Sequence, residues 1–462
     1  MHSSPLSALS QIISSGISTI ESTYATHGAT FPSLDEPFRP PTFDDPGLLH
    51  PTQLVIAAAA QLIASLSHPA SSILDGASAH YITSSLGVVA DTNVAEVLRE
   101  AGPQGLHIRD IGERCGTDSS KIGRVLRFLA TLHIFREVSP DVFANNRISS
   151  IIDTGKTIED IKARPLEKYD DTPGISALIG HFADEGIKSA SYVLDSFRDT
   201  ETLSSQDPLA APFNRAFNAP MHFFEWCELP ENELRFRRFG ATMKDSISTV
   251  TPDTALAGLD WKSLKKDSLV VDVGGGIGST TGVFAKAFPH LRFVIQDRSA
   301  VVAEGIQRWK QEYPEALIDN RVRFQEHNFF EPQPIKDASV FFLRFITHDW
   351  PTEYARKILK HLGDAALPTT KLVIMDNIVP YSVPGNSGTG ASSVPYPLLA
   401  NLGRVNFHSV RIDMHMMALH NSQERTVGQF QELVEGTGWK LESISTSSAG
   451  TMSSLVFAHI SQ

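Results

Sequence analysis

The chain has 462 residues, with 41% hydrophobic and 20% charged side chains. That ordinary globular balance excludes a largely disordered, collagen-like or coiled-coil chain and leaves room for two or three domains. A formal charge of −12 argues against a general binder of nucleic acid or of an anionic membrane surface, because phosphate contacts need Lys and Arg. The two cysteines, Cys115 and Cys227, are too few for a disulfide framework and lack the paired spacing of a zinc site.

Residues 3–26 carry Leu6, Leu9, Ile12, Ile13, Ile17 and Ile20 at helical spacing. Residues 31–51 hold six prolines and read as an extended connector. Residues 54–66 and 71–83 predict two further helices. The apolar run at 54–66 is about 13 residues long and contains Gln61 and Ser65, short of the ~20 that a membrane span needs. No basic stretch of a secretory signal precedes it, so a soluble, cytoplasmic protein without a membrane partner is the expectation.

Residues 94–149 have the rhythm of a winged helix-turn-helix. A helix at 94–99 is followed by a short strand at Leu106 and Ile108 and a second helix opening at Ile108. Asp118 then caps a third helix at 121–132, and 135–138 and 142–144 form a hairpin around Ser139-Pro140-Asp141. Lys121, Arg124 and Arg127 on the third helix would suit DNA, but the net charge favours a winged helix used for dimerisation. Residues 153–173 read as loop-rich and 174–217 as helical. From 269 onward strands alternate with helices, at 269–273, 293–296, 322–326, 338–343, 372–375 and 452–459. That alternation predicts an α/β, doubly wound, mostly parallel Rossmann-like sheet. Residues 384–397, rich in Gly, Ser and Pro, read as a surface insertion. The expected division is an N-terminal helix and arm (1–52), a winged-helix domain (53–175) and a catalytic domain (176–462).

The sharpest motif is Val270-Val271-Asp272-Val273-Gly274-Gly275-Gly276-Ile277-Gly278, a strand, a glycine turn and the start of a helix. Glycines let the backbone turn tightly and approach a ligand. Ser279 stands where a nicotinamide-binding turn would carry its last glycine, and Asp272 is unwelcome beside a pyrophosphate, which seeks a positive helix N-terminus. The pattern suits S-adenosyl-L-methionine, which has an amino group and no phosphate. Asp297 ends the next strand 23 residues after Gly274, where a carboxylate would accept ribose hydroxyls at a spacing of ~20. Asn328 and Phe329 follow the third strand and suit the adenine edge and face. A second cluster, Leu343-Arg344-Phe345-Ile346-Thr347-His348-Asp349-Trp350-Pro351, lies at a strand end, where open α/β sheets place ligands. Asp376 and Glu424 stand at other strand or loop ends, and a histidine oriented by a carboxylate is how a general base is built. No carboxylate or histidine set has the spacing of a magnesium or zinc site.

Together the glycine motif, Gln296-Asp297-Arg298, Phe329-Phe330-x-Pro332-Gln333-Pro334, Arg344…His348-Asp349-Trp350, Glu424-Arg425-Thr426 and Gly438-Trp439 resemble the class I caffeate-type O-methyltransferases of plants and fungi, in their fungal secondary-metabolism branch. The resemblance covers about residues 30–460. It implies that His348 is the general base, with Asp376 and Glu424 orienting it. It carries cofactor contacts onto Gly274, Asp297, Asn328, Phe329 and Arg344, beside Asp272 and Gly276 of the glycine turn. Acceptor-side positions fall near Phe239, Met243, Met416 and His420. It further implies a homodimer formed by the winged domain and a small-molecule acceptor. The chain departs from the family at Asn328, where aspartate is usual, and at Asp376, where plant members carry glutamate. Two other readings stay open: a pericyclase on the same fold that keeps S-adenosyl-L-methionine as a bound cation, and a DNA-binding regulator that uses the winged helix.

Overall fold

The computed structural model describes residues 4–248, 256–384, 394–446 and 452–460. Most of the expected insertion at 384–397 lies outside the described residues. The chain divides into two compact units, Met1–Tyr192 with Arg215–Ser248, and Val193–Asn214 with Thr249–Gln462. The expected boundary at 175/176 therefore falls inside the first unit. Buried charge accounts for this: Arg238, on the helix Glu233–Ser248, donates to both oxygens of Glu185 at 2.7 and 2.6 Å and to Asp184 at 3.0 Å.

In the first unit the helix Pro5–Thr26 packs on the helix Leu49–Leu66. Gly16 permits the approach, since a Cβ there would lie 2.4 Å from Val55 Cγ2. The second helix starts earlier than its apolar run suggests. With its leading turn, Pro46–Leu66 is long and apolar enough to cross a membrane by length and composition alone, which corrects the expectation that no segment is. The proline-rich arm is pinned by Phe38 N donating to Ser150 Oγ at 2.8 Å and Arg147 N to Leu34 O at 2.9 Å. The expected helix at 71–83 is instead two, Pro69–Ala77 and His80–Asp91.

The winged motif forms as read. β1 (Leu106–His107), β2 (Arg136–Ser139) and β3 (Val142–Ala144) make a sheet of order β1-β3-β2 against the helices Val94–Ala101, Ile108–Cys115 and Ser119–Thr131. Asp118 Oδ1 accepts from Lys121 N at 2.9 Å, capping the third helix. Val89, Leu98, Ile111, Ile122, Leu126, Leu129 and Phe143 fill the core. Arg127, one of the three basic residues of that helix, is paired with Asp141 and lies 3.9 Å from Glu137. Its charge is therefore answered within the motif.

The second unit is the α/β sheet. β4 (Leu269–Val273), β5 (Arg292–Asp297), β6 (Val322–Glu326), β7 (Val340–Arg344), β8 (Lys371–Asp376), β9 (Trp439–Thr446) and β10 (Ser453–His459) lie in the order β6-β5-β4-β7-β8-β10-β9. The first five are parallel, and β10 is antiparallel to both β8 and β9. The strands are apolar on both faces, as a sheet covered on both sides requires. Val271, Phe341 and Ile374 join one core; Val270, Phe342 and Val373 join the other. The strand order reverses between β4 and β7, the switch point at whose carboxyl ends such sheets bind ligands. The stretch expected to be helical through 217 is broken after Arg198. Asn421 Nδ2 holds the break in this unit by donating to Ser205 O and Asp207 O, each at 2.9 Å.

Candidate active site

After β4 the backbone turns through Gly274, Gly276 and Gly278, at φ of +69°, +59° and +79°, which side chains with a Cβ rarely adopt. A Cβ at Gly274 would lie 2.4 Å from Ile346 Cδ1, whereas Gly276 faces open space. Asp297, at the end of β5, ties this turn together: Gly276 N donates to its Oδ2 and Arg298 N to its Oδ1, both at 2.8 Å. Asp272 is buried and accepts from Thr281 Oγ1 at 2.6 Å. Burial, with Asp297 nearby, pushes its carboxyl up to about 6.

At the end of β7, Arg344 is followed by a short turn carrying Thr347, His348 and Asp349. His348 Nδ1 lies 2.8 Å from Glu424 Oε1, and Asn377 Nδ2 donates to the same oxygen at 3.1 Å. Glu424 is itself placed by its backbone N–H, which donates to Asp413 Oδ1 at 2.9 Å. Arg425 Nη1 donates to Thr347 O at 2.6 Å and Arg425 Nη2 to Trp350 O at 3.0 Å, so the Glu424 loop grips the histidine turn. The sequence reading pairs both Asp376 and Glu424 with His348, and in this it is corrected. Asp376 accepts from the Thr347 hydroxyl and makes no hydrogen bond to the imidazole among the described residues. Its charge is among those that raise the imidazole.

Three acids surround the imidazole. Asp349 Oδ1 is 3.4 Å from His348 Nε2 and 3.7 Å from His420 Nε2. Burial opposes the imidazolium, but Asp349, Glu424 and Asp376 outweigh it and lift His348 to about 10. Burial raises Asp349 to about 7 and Asp376 to about 6, against the pull of His348. Asp376 Oδ1 and Glu424 Oε2 are buried and accept no hydrogen bond among the described residues, which leaves their charge free to act on the ring. Burial also lowers Arg344 to about 10, beside Asp272 and Asp376. This arrangement can hold or take up one proton at His348 and fix the ring that carries it.

The other expected positions fall as follows. Phe329 packs edge-on against Phe330 and Trp350, at 5.0 and 5.8 Å between ring centroids, beside Gly274. Asn328 is exposed, and its Oδ1 caps the loop by accepting from Phe330 N at 3.1 Å. Met416 and His420 are buried one turn apart on the helix Phe407–His420, with His420 reaching the cluster through Asp349. Phe239 and Met243, one turn apart on Glu233–Ser248, belong to the first unit. There Phe239 packs against His181, Phe223 and Phe224, and Met243 is exposed. Sequence reasoning missed Asp349, Asn377 and Asp413. Asp349 was legible as the neighbour of His348 within one motif; the other two are brought in only by the chain path.

A glycine turn after the first strand of the sheet, an acid ending the second and a buried histidine–carboxylate pair at the switch point are the arrangement expected of a class I methyltransferase. Residues 194–440 match the O-methyltransferase domain. An O-methyltransferase of Armillaria gallica is 40% identical over 452 residues, covering 96% of this chain and 95% of that protein. The 4-O-methyltransferase 1 of Phanerochaete chrysosporium is 37% identical over 451 residues, covering 95% of each. Among solved structures, an enzyme of a pericyclic reaction superposes with a TM-score of 0.68 at 18% identity, covering 96% of this chain and 98% of that one; this likeness shows the fold alone. The chain belongs to the fungal O-methyltransferase family, and it is an S-adenosyl-L-methionine-dependent enzyme.

Proposed function

We propose that this enzyme methylates a hydroxyl of a small aromatic or polyketide-like acceptor, with His348 as general base. The observation that carries the reading is the 2.8 Å contact between His348 Nδ1 and Glu424 Oε1. A carboxylate on Nδ1 favours the tautomer whose proton sits there and leaves the Nε2 lone pair to accept a proton.

The residues present fit the cofactor. The turn at Gly276 is open and left-handed. Asp297 spends one acceptor site per oxygen on backbone N–H groups and keeps others for ribose hydroxyls, a carboxylate having about four in all. Phe329 and Asn328 suit the adenine, while Asp272 suits the amino group, with Gly274 and Arg344 completing the contacts. When bound, the cofactor supplies an electrophilic methyl group on a sulfonium.

His348 then takes the acceptor's proton as the oxygen gains its methyl group. A phenol titrates near ~10, and the acids around His348 raise the imidazole's hold on a proton well above its ordinary value. Glu424 holds the ring in plane, and the Arg425 contacts hold the turn. Met416 and His420, on the helix that reaches the cluster through Asp349, are acceptor-side positions in this reading. We further propose a homodimer built on the first unit, where Ile56, Ile63, Leu66, Ile73 and Leu74 are exposed; apolar surface of this kind marks a protein interface.

The test is stoichiometry. Methylated product and demethylated cofactor should form one for one, whereas turnover without demethylated cofactor would favour the pericyclase.

A further inference from the structure

We infer that Gln296 and Gln333 form an anchoring pair that sets affinity for the adenine end of the cofactor. The inference rests on the reading that Asn328 and Phe329 hold that end.

Gln296 precedes Asp297 at the end of β5, and Gln333 lies on the segment that follows Asn328 and Phe329; each is 1% exposed. Their amides pair reciprocally. Gln296 Nε2 donates to Gln333 Oε1 and Gln333 Nε2 donates to Gln296 Oε1, both at 2.9 Å. Ile335 N also donates to Gln333 Oε1, at 3.1 Å. A backbone N–H is unambiguously a donor, so it identifies the oxygen of Gln333 and hence that of Gln296. Gln296 Nε2 further donates at 3.0 Å to Gln325 Oε1, on the paired residue of β6. Three amides thus tie two strands and the loop into one hydrogen-bonded unit, with the Gln296–Gln333 pair away from water and Gln325 half-buried at its edge.

The loop is built to be held there. Pro332 and Pro334 flank Gln333, fixing φ on either side and restricting Gln333 to extended backbone. Ile335 is buried in the sheet's core. An apolar pair would also fill this space, but it would not set direction. A two-bond amide pair fixes both the position and the rotation of the segment, and an unpaired buried amide is costly. The strand end that carries Asp297 and the loop that carries Phe329 therefore keep one spacing. Gln296 and Gln333 are positioning residues; neither is assigned a contact with the cofactor.

The experiment measures binding of S-adenosylhomocysteine and of S-ribosylhomocysteine, which lacks the base, by calorimetry on the full-length enzyme. Gln333→Met keeps length and most of the volume but removes the amide. It should weaken S-adenosylhomocysteine about tenfold and leave S-ribosylhomocysteine unchanged. The double variant Q296M/Q333M should behave alike, because repacking without direction does not restore the loop; it also serves if the single variant does not fold. Equal loss of both ligands, or loss of neither, overturns the anchoring role. Phe329→Ala separates the two claims. If it is selective for S-adenosylhomocysteine and Gln333→Met is not, the anchoring fails alone. If Phe329→Ala is not selective, the adenine reading fails and the inference falls with it.

Discussion

Phe345 stacks on His348 with ring centroids 5.0 Å apart and planes 23° from parallel, and it does so from a left-handed backbone at φ +54°. A bulky residue in that region is strained by roughly 1–3 kcal/mol, and here its ring lies on the imidazole and under the Arg344 guanidinium, 4.7 Å from the ring centroid. Phe345→Ala should cost a few-fold in kcat, the scale of an aromatic pair at about 1 kcal/mol. Phe345→Gly removes the same ring but accepts the backbone. Its thermal midpoint should exceed that of Phe345→Ala by about 2–4 °C, and equal midpoints would show that no strain is stored.

The pH dependence has a definite sign. His348 accepts a proton only when neutral, and in the free enzyme its surrounding acids, outweighing burial, raise it to about 10. kcat/KM should therefore climb with pH through neutrality toward that value, since it reports groups of the free enzyme. Glu424→Gln removes one of the charges responsible and should move the climb to lower pH. The acceptor's own ionisation would not move in that variant, so an unshifted profile assigns the limb to the acceptor and not to His348.

Much of this site was legible in the chain. The glycine turn, Asp297 and the strand-end histidine each sit in a local motif whose spacing carries its reason. Glu424 lies far along the chain from His348, yet its motif marked it. What stayed hidden depends on side-chain direction. Asp376 stands beside the site but is one carbon shorter than glutamate, and it turns to Thr347. The strand Trp439–Thr446 escaped because its alternation fails where the register shifts opposite Val456 and Phe457. The break between Pro69–Ala77 and His80–Asp91 contains no glycine or proline to announce it.

Asp297 serves both the turn and, in the proposed reading, the ribose. Asp297→Ala should weaken S-adenosylhomocysteine by ~1–3 kcal/mol, the scale of losing hydrogen bonds to a charged group. Unchanged affinity by calorimetry would remove Asp297 from the cofactor site.

Ile63 and Leu66 are about two-thirds exposed, at 67% and 66%, on the helix that packs against Pro5–Thr26. Light scattering at micromolar concentration should give twice the chain mass, and I63E/L66E should give the single mass with the catalytic unit still folded. A monomer before substitution would contradict the dimer.

In the proposed reading His348 takes the acceptor's proton and does not build the cofactor site. The direct measurement is single-turnover methyl transfer by His348→Ala, alongside its affinity for S-adenosylhomocysteine. A rate lowered by ~10²–10⁴ with affinity nearly intact is the predicted result. A rate within a few-fold of the parent enzyme, or sustained product with a cationic cofactor analogue that has no methyl group to give, would contradict it.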